Sequence, residues 1–461
     1  MAAFLNVCRF NPTAGGTTDW TYSTAVTGYQ SPAAAGVVNG TLYKYRAESS
    51  DLSQWELGEG AYNTGTGVLA RTTVLYNSSG TGTGAGQTGA GSKINFSAAP
   101  QVAVVELKED LLSVTEANSF TTAKQEQARI NIGVVPTYGL TNHSIAVSAA
   151  ASALTISLKD RAGSDPSSTS PVVGQFRSPT GTTGSWVERS VTGSLSLVLS
   201  SGSTLGVTSS TAFRLWVVLF DDGGTMRLGA INCSTAKQVF PLTESIPASS
   251  TAEGGAGGAD SAGVFYTGTA VTSKSYLIVG YVEWSASGLT AGTWTTTNVN
   301  YVQSFGPGIK KPGDVVGSVY YVTGEAATGT TTVPVDDTIP QSSEGDQFMS
   351  QAYTPTSAAN LLLVDAQAAL VTSAQGAIAM SLFQDSNANS LATGVLSVLP
   401  SVWGVAHIKY MARSQLSSST TFKIRAGNNA AGTTAINAST AGTRYYGGVF
   451  NSYIDIKELM G

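Results

Sequence analysis

Thr421-Phe422-Lys423-Ile424-Arg425-Ala426-Gly427 alternates apolar and polar side chains. A period of two is the period of a strand with one face buried and one face wet. Ile378 to Phe383 follows the same rhythm, and clusters of Gly, Asn and Ser separate the apolar runs from Val315 to Gly461. A stretch of this length, built of many short strands and closing on Tyr453-Ile454-Asp455-Ile456-Lys457-Glu458-Leu459, reads as a jelly-roll sandwich. Working outward from it, the preceding residues read as segments that attach, lengthen or support this terminal domain.

The chain has 461 residues, enough for several domains. Only 11% are charged, 52 are glycine, and Ser and Thr recur throughout. That composition suits a β-rich protein whose surface is largely covered by neighbours in an assembly. A hydrophobic content of 42%, with 18 Tyr and 7 Trp, argues against disorder. The net charge of −5 leaves no general footprint for nucleic acid. Lys310-Lys311, beside Pro and Gly, reads as a solvated linker charge. Two cysteines, Cys8 and Cys233, make neither a disulfide framework nor a metal box. No apolar stretch is long enough to span a bilayer, and the first residues lack a signal-peptide pattern. Synthesis in the cytoplasm, without membrane insertion, is expected.

Taken in order, residues 1–101 read as a β-rich module. It includes Trp55-Glu56-Leu57-Gly58-Glu59-Gly60 and Leu69-Ala70-Arg71-Thr72-Thr73-Val74. Residues 102–136 read as a helical connector: Thr122 and Gln125 have capping-box spacing, helix formers follow, and Gly133 provides a stop. Residues 137–306 read as a β-sandwich. Ser152 to Lys159 and Ser194 to Leu199 alternate, Arg214 to Phe220 is of buried-strand type, and Asp221-Asp222-Gly223-Gly224 is a turn. Residues 307–314 read as a Gly/Pro linker to the terminal domain at 315–461.

Several of these segments resemble parts of tailed-bacteriophage tail fibres and appendages. The Trp55–Gly60 and Leu69–Val74 pair resembles an N-terminal fibre module. Phe120 to Gly133, ending Gln125-Glu126-Gln127-Ala128-Arg129-Ile130-Asn131-Ile132-Gly133, resembles the "AQARxNIG" connector of the fibre axis. Ala153 to Asp160 with Gly292-Thr293-Trp294 resembles a fibre spacer. Ile339 to Met349 and Phe422 to Gly427 resemble a C-terminal jelly roll akin to the tumour-necrosis-factor-like trimers. The resemblance implies a mainly β, multidomain, homotrimeric fibre in the virion. Trp55, Gly58, Gly60 and Arg71 would belong to its attachment module, docking on tail or baseplate proteins. Phe120, Ala128, Ile130 and Gly133 would lie on the trimer axis. The terminal domain would bind a host surface glycan or protein.

No catalytic set, cofactor or metal site is legible. Glycoside cleavage needs two carboxyl groups about 5–10 Å apart. Asp336-Asp337 would point to opposite faces of a strand, and Glu344 and Asp346 flank a Gly bend. His407 lies in a strand-like run and reads as packing. Asp385-Ser386-Asn387-Ala388-Asn389 begins like a calcium loop but has Ser390 for the sixth-position Gly and Leu396 for the twelfth-position Glu. If the terminal domain grips a sugar, aromatic faces and short polar groups at loop tips are expected to do it. Trp403, Tyr410, Asn428, Asn429, Tyr445 and Tyr446 are the candidates. A capsid fibre without a receptor and a capsular depolymerase remain as alternatives.

Overall fold

The computed structural model describes residues 4–84, 87–88, 91–107, 139–178, 185–235, 237–255 and 260–461. The chain falls into two compact units, Met1–Val135 and Pro136–Gly461. Phe120, Ala128, Ile130 and Gly133 lie outside the described residues, and with them most of the expected connector.

The first unit holds β1 (Cys8–Pro12), β2 (Trp20–Ala25), β3 (Leu42–Glu48), β4 (Trp55–Asn63), β5 (Val68–Leu69), β6 (Thr73–Asn77) and β7 (Gln101–Val104). They pair in the order β3-β7-β1-β2-β5-β4-β6, and β3 also pairs with β4. Six strands therefore close into a ring, which leaves them no free edge, and β6 extends it from β4. Phe10, Trp20, Tyr45, Leu69, Phe96 and Val102 fill the interior. One expectation is corrected here. Read from the sequence, the connector starts at 102, but Val102 and Val104 are buried strand positions paired to β1 and β3. A short apolar run carries too few residues to separate a period of two from one of 3.6.

The second unit begins with β8 (Leu140–Thr141), β9 (His143–Ala150), β10 (Ala153–Asp160), β11 (Val172–Arg177), β12 (Trp186–Val191) and β13 (Leu195–Leu199). There follow β14 (Phe213–Asp222), β15 (Thr225–Asn232), β16 (Ser234–Thr235), β17 (Gln238–Val239), β18 (Ser250–Ala252), β19 (Phe265–Thr267), β20 (Ser275–Trp284) and β21 (Val299–Ser304). A six-stranded sheet, β18-β19-β15-β14-β20-β21, is its central layer. Leu215, Val217 and Leu219 of β14 pack with Leu154, Ile156 and Leu158 of the sheet β13-β10-β9. Trp216, Val218 and Phe220, on the opposite face, pack with Cys233, Phe265 and Met460. Both faces of β14 are covered, which is why its sequence is continuously apolar.

The last strands are β22 (Val315–Thr323), β23 (Ala327–Gly329), β24 (Asp346–Tyr353), β25 (Leu361–Thr372), β26 (Gly376–Gln384), β27 (Ala392–Val398), β28 (Gly404–Arg413), β29 (Thr420–Asn428), β30 (Thr434–Ile436) and β31 (Ser452–Leu459). One sheet runs β22-β31-β25, with β28 paired to β25, and the other runs β24-β29-β26-β27. Counting the eight long strands in sequence, the orders are first-eighth-third-sixth and second-seventh-fourth-fifth. This is a jelly roll. Val364, Ala366, Ile454 and Ile456 of one sheet meet Met380, Leu382, Phe422 and Ile424 of the other. The alternation at Thr421–Arg425 thus places Phe422 and Ile424 in the core.

Residues 307–314 connect the sandwich to the jelly roll and are docked along their length. Lys311 Nζ lies 2.6 Å from Glu244 Oε2, so this lysine is paired rather than merely solvated. Gly313 N donates to Met460 O and Met460 N to Asp314 O, each at 2.8 Å. Deeper in the junction, Arg214 is paired with Glu283 and donates from Nη1 to Asn360 Oδ1 (3.0 Å) and Gly461 O (2.9 Å). Asn360 Nδ2 in turn donates to Glu458 Oε1 at 2.6 Å.

Glu458 is fully buried and also accepts from Tyr353 Oη, Thr356 N and Thr356 Oγ1. Burial by itself raises its pKa, but the donors from Asn360, Thr356 and Tyr353 prevail and hold it below its ordinary 4.5. A carboxylate with a depressed folded pKa contributes stability above its unfolded pKa, and that contribution is lost as pH falls through the folded value. Urea unfolding of the second unit, followed from neutral pH into acid, is therefore expected to weaken below pH 4.5. Glu458→Gln should be less stable at neutral pH, with its deficit shrinking in acid. A deficit independent of pH would contradict this account.

Candidate functional site at the end of the jelly roll

β28 has ten residues, so it spans about 33 Å. Arg413 at one end touches the sandwich, donating from Nη2 to Ser234 O at 3.1 Å. Trp403 immediately precedes the other end. There the β27–β28 turn meets the long loop between β30 and β31, and Trp403 Nε1 donates to Ala438 O at 3.3 Å. Four rings gather at this remote end. Trp403 lies 4.7 Å from Tyr445 and 5.7 Å from Phe450, centroid to centroid, and Tyr446 lies 6.3 Å from Tyr445 and 6.2 Å from Phe450. Tyr446 is 69% exposed, and Val402 and Val449 are exposed beside the cluster.

The loop carrying the rings is held in an unusual backbone path. Tyr446, Gly447 and Gly448 have φ of 52°, 65° and 92°. Left-handed geometry costs glycine little but disfavours tyrosine. Close approach fixes the loop from below: a Cβ on Gly324 would lie 1.8 Å from Gly448 O. Asn437, also fully buried, donates from Nδ2 to Thr323 O at 2.9 Å. Arg444 Nη1 lies 3.3 Å from Glu325 Oε1, adding an exposed ion pair near the rings. Exposed aromatic faces beside an exposed ion pair suit a ligand with both apolar and hydroxyl-bearing surfaces.

Of the six expected binding residues, Trp403, Tyr445 and Tyr446 come together. Phe450 joins them, and no local pattern singled it out. Asn428 and Asn429 turn their side chains to the framework. Asn428 is buried, with Nδ2 donating to Thr372 Oγ1 and Ala374 O, and Asn429 Oδ1 accepts from Ala377 N. Tyr410 sits toward the sandwich, its ring 5.6 Å from Lys237 Nζ.

In the first unit, Arg71 is a buried structural residue. It is paired with Glu56, both side chains having no exposure. Its remaining donors reach Gly16 O, Thr18 O and Ile94 O, and its guanidinium lies 4.7 Å from the Trp20 ring. Gly58 and Gly60 lie at close approaches, where a Cβ would meet Thr73 O at 2.3 Å and Ala70 O at 1.6 Å. Trp55 is a half-buried strand residue.

Of the carboxylates weighed for catalysis, Asp336 accepts from Thr338 N. Asp221 pairs with Arg189, and Asp222 with Arg227 and Lys274. Asp346 accepts from Thr331 and Glu344 from Gln341 N. Asp385 accepts from Thr420 Oγ1 and Thr421 N. His407 is exposed, with Nε2 2.9 Å from Asp365 Oδ1. Among the described residues no group of His, Cys, Asp and Glu could hold a metal ion.

No family model and no curated protein matches the sequence. Among solved structures, the Eiger TNF of S. frugiperda is similar at 11% identity and a TM-score of 0.20, covering 31% of this chain and 93% of its own. The infectious bursal disease virus VP2 subviral particle is similar at 12% identity and a TM-score of 0.20, covering 71% and 79%. Likeness at this level is slight, and the jelly-roll assignment rests on the strand order above.

Proposed function

We propose that the chain is a non-enzymatic virion appendage, a fibre or spike, that grips a host surface glycan or protein through the end of its jelly roll. The observation that carries this reading is the exposed aromatic cluster at the end of the domain remote from the sandwich. A particle protein needs its grip at the free end of a stiff body, and the docked 307–314 segment couples grip and support. The first unit is the candidate for attachment to tail or baseplate proteins.

Homotrimerisation belongs to the same proposal. The outer face of the β22-β31-β25-β28 sheet is open, with Tyr320, Val322 and Val405 exposed. Three copies meeting there would cover these groups and place three grips on one body, whose weak sites act together.

Sedimentation velocity of the full chain, with adsorption of the same sample to host cells, tests both parts. A trimer that adsorbs is expected. A monomer would remove the trimer, and a trimer that does not adsorb would remove the receptor role. The jelly roll alone is a poor probe, because Met460 and Val316 pack into the sandwich core and excision would bare them.

A further inference from the structure

A cavity of about 230 Å³ lies where the sandwich meets the jelly roll. Arg413 and Gln415 line it from the jelly roll, and Thr208, Thr211, Asn232 and Ser234 from the sandwich. Among the described residues no carboxylate lines it. The Arg413 guanidinium donates to two main-chain oxygens, Ala212 O and Ser234 O, and has no carboxylate partner among the described residues. Arg413 is half-buried, and a charge partly withdrawn from water without a counter-charge is costly. Burial, and after it the like charge of Arg214, draws this guanidinium down to about 10, still charged at neutral pH. Arg214 itself is already matched by Glu283.

The neutral groups are biased the same way. Asn232 Oδ1 accepts from Ser234 N at 3.2 Å, while its Nδ2 is buried without a partner among the described residues. Gln415 Oε1 accepts from Ala212 N at 2.9 Å, which turns its Nε2 donors elsewhere. Both amides thus have their oxygens engaged and their donors left over. The wall is also held in strained backbone: Gln415 has a φ of 57°, and Leu205 and Ser210, which flank the lining loop, have 47° and 55°. Strain of this kind persists where surrounding structure enforces it, often at binding sites.

We propose that this cavity binds a small oxyanion of the phosphate or sulfate class, and that the occupied site pins the jelly roll to the sandwich. A tetrahedral oxyanion offers acceptors in several directions and the missing negative charge, and a guanidinium edge matches it in geometry. The site is independent of the aromatic end.

The test is thermal unfolding of the full chain, with phosphate, sulfate or acetate added in the low-millimolar range at ionic strength fixed with chloride. Low concentrations matter because phosphate and sulfate stabilise proteins generally at high concentration. A saturable rise of a few degrees in the melting of the second unit is expected with phosphate or sulfate. Arg413→Gln should weaken the response about 10- to 100-fold in apparent affinity, the scale of lost charge-assisted hydrogen bonds. Asn232→Asp places a carboxylate on the wall and keeps the acceptor for Ser234 N. It should abolish the response and, without added anion, melt no lower than the parent. This second variant decides the matter if the first does not fold. A melting point that follows chloride and phosphate equally, an acetate response equal to that of phosphate, or an undiminished response in Asn232→Asp, overturns the proposal.

Discussion

Arg71→Met is expected to destabilise the first unit by about 3–5 kcal/mol, the range for removing one partner of a buried ion pair. The size follows from what is left behind. Glu56 would keep Tyr45 Oη and Ile94 N as donors but lose Arg71 as its charge partner, inside a closed ring of strands. Gly16 O, Thr18 O and Ile94 O would each lose a donor as well. A typical domain is stable by about 5–15 kcal/mol in all, so this variant should be near its folding limit. Exposed pairs such as Arg46 with Glu48 should matter far less, by about 1 kcal/mol or under. Urea unfolding followed by tryptophan fluorescence measures the loss, since Trp20 stands against the Arg71 guanidinium. A loss no greater than that of Arg46→Met would show that the buried pair does not hold the ring together.

The same residues show what the sequence made legible. Trp55–Gly60 and Leu69–Val74 stand out as a motif in the sequence, but the packing role of its residues inside the fold is not written there. Arg71, Gly58 and Gly60 build the interior of the first unit, and its partner Glu56 lay unweighed inside the quoted motif. Their pairing depends on the register of β4 and on a loop that brings Arg71 back over it, neither of which a local pattern encodes. Strand periodicity located the jelly roll correctly because Phe422, Ile424, Ile454 and Ile456 alternate with polar residues over most of a strand. At Val102–Val104 the run was too short to reveal its period. The binding candidates divided for a related reason. An Asn-Asn pair looks like a loop tip in sequence, whereas Asn428 is the last residue of β29 and faces inward to Thr372. Phe450 was invisible because Trp403, which it packs against, arrives from a different loop, the turn between β27 and β28. The oxygens and amides around Arg413 are likewise brought together by the packing of two sheets far apart in sequence.

Tyr446→Gly should separate binding from folding more cleanly than any other change at the remote end. Tyrosine at a φ of 52° bears a backbone penalty of about 1–3 kcal/mol that glycine does not. The ring returns little to the fold, being mostly exposed, with Tyr445 and Phe450 as its ring neighbours. Glycine should therefore leave the melting temperature of the second unit unchanged or raise it. If the ring is part of the grip, adsorption to host cells should fall, by about 30-fold per site if Tyr446 is a hot spot of about 2 kcal/mol. On a trimer the loss would compound, because each grip strengthens the others through their shared body. Asn429→Ala, at the same end but bound to Ala377 N, serves as the control and should adsorb as the parent does. A strained residue that can be relaxed without cost to binding would have no evident reason to be a tyrosine. Unchanged adsorption in Tyr446→Gly would therefore remove this cluster as the contact surface. A stable variant that no longer adsorbs would mean that the strain is maintained for the sake of the ring it presents.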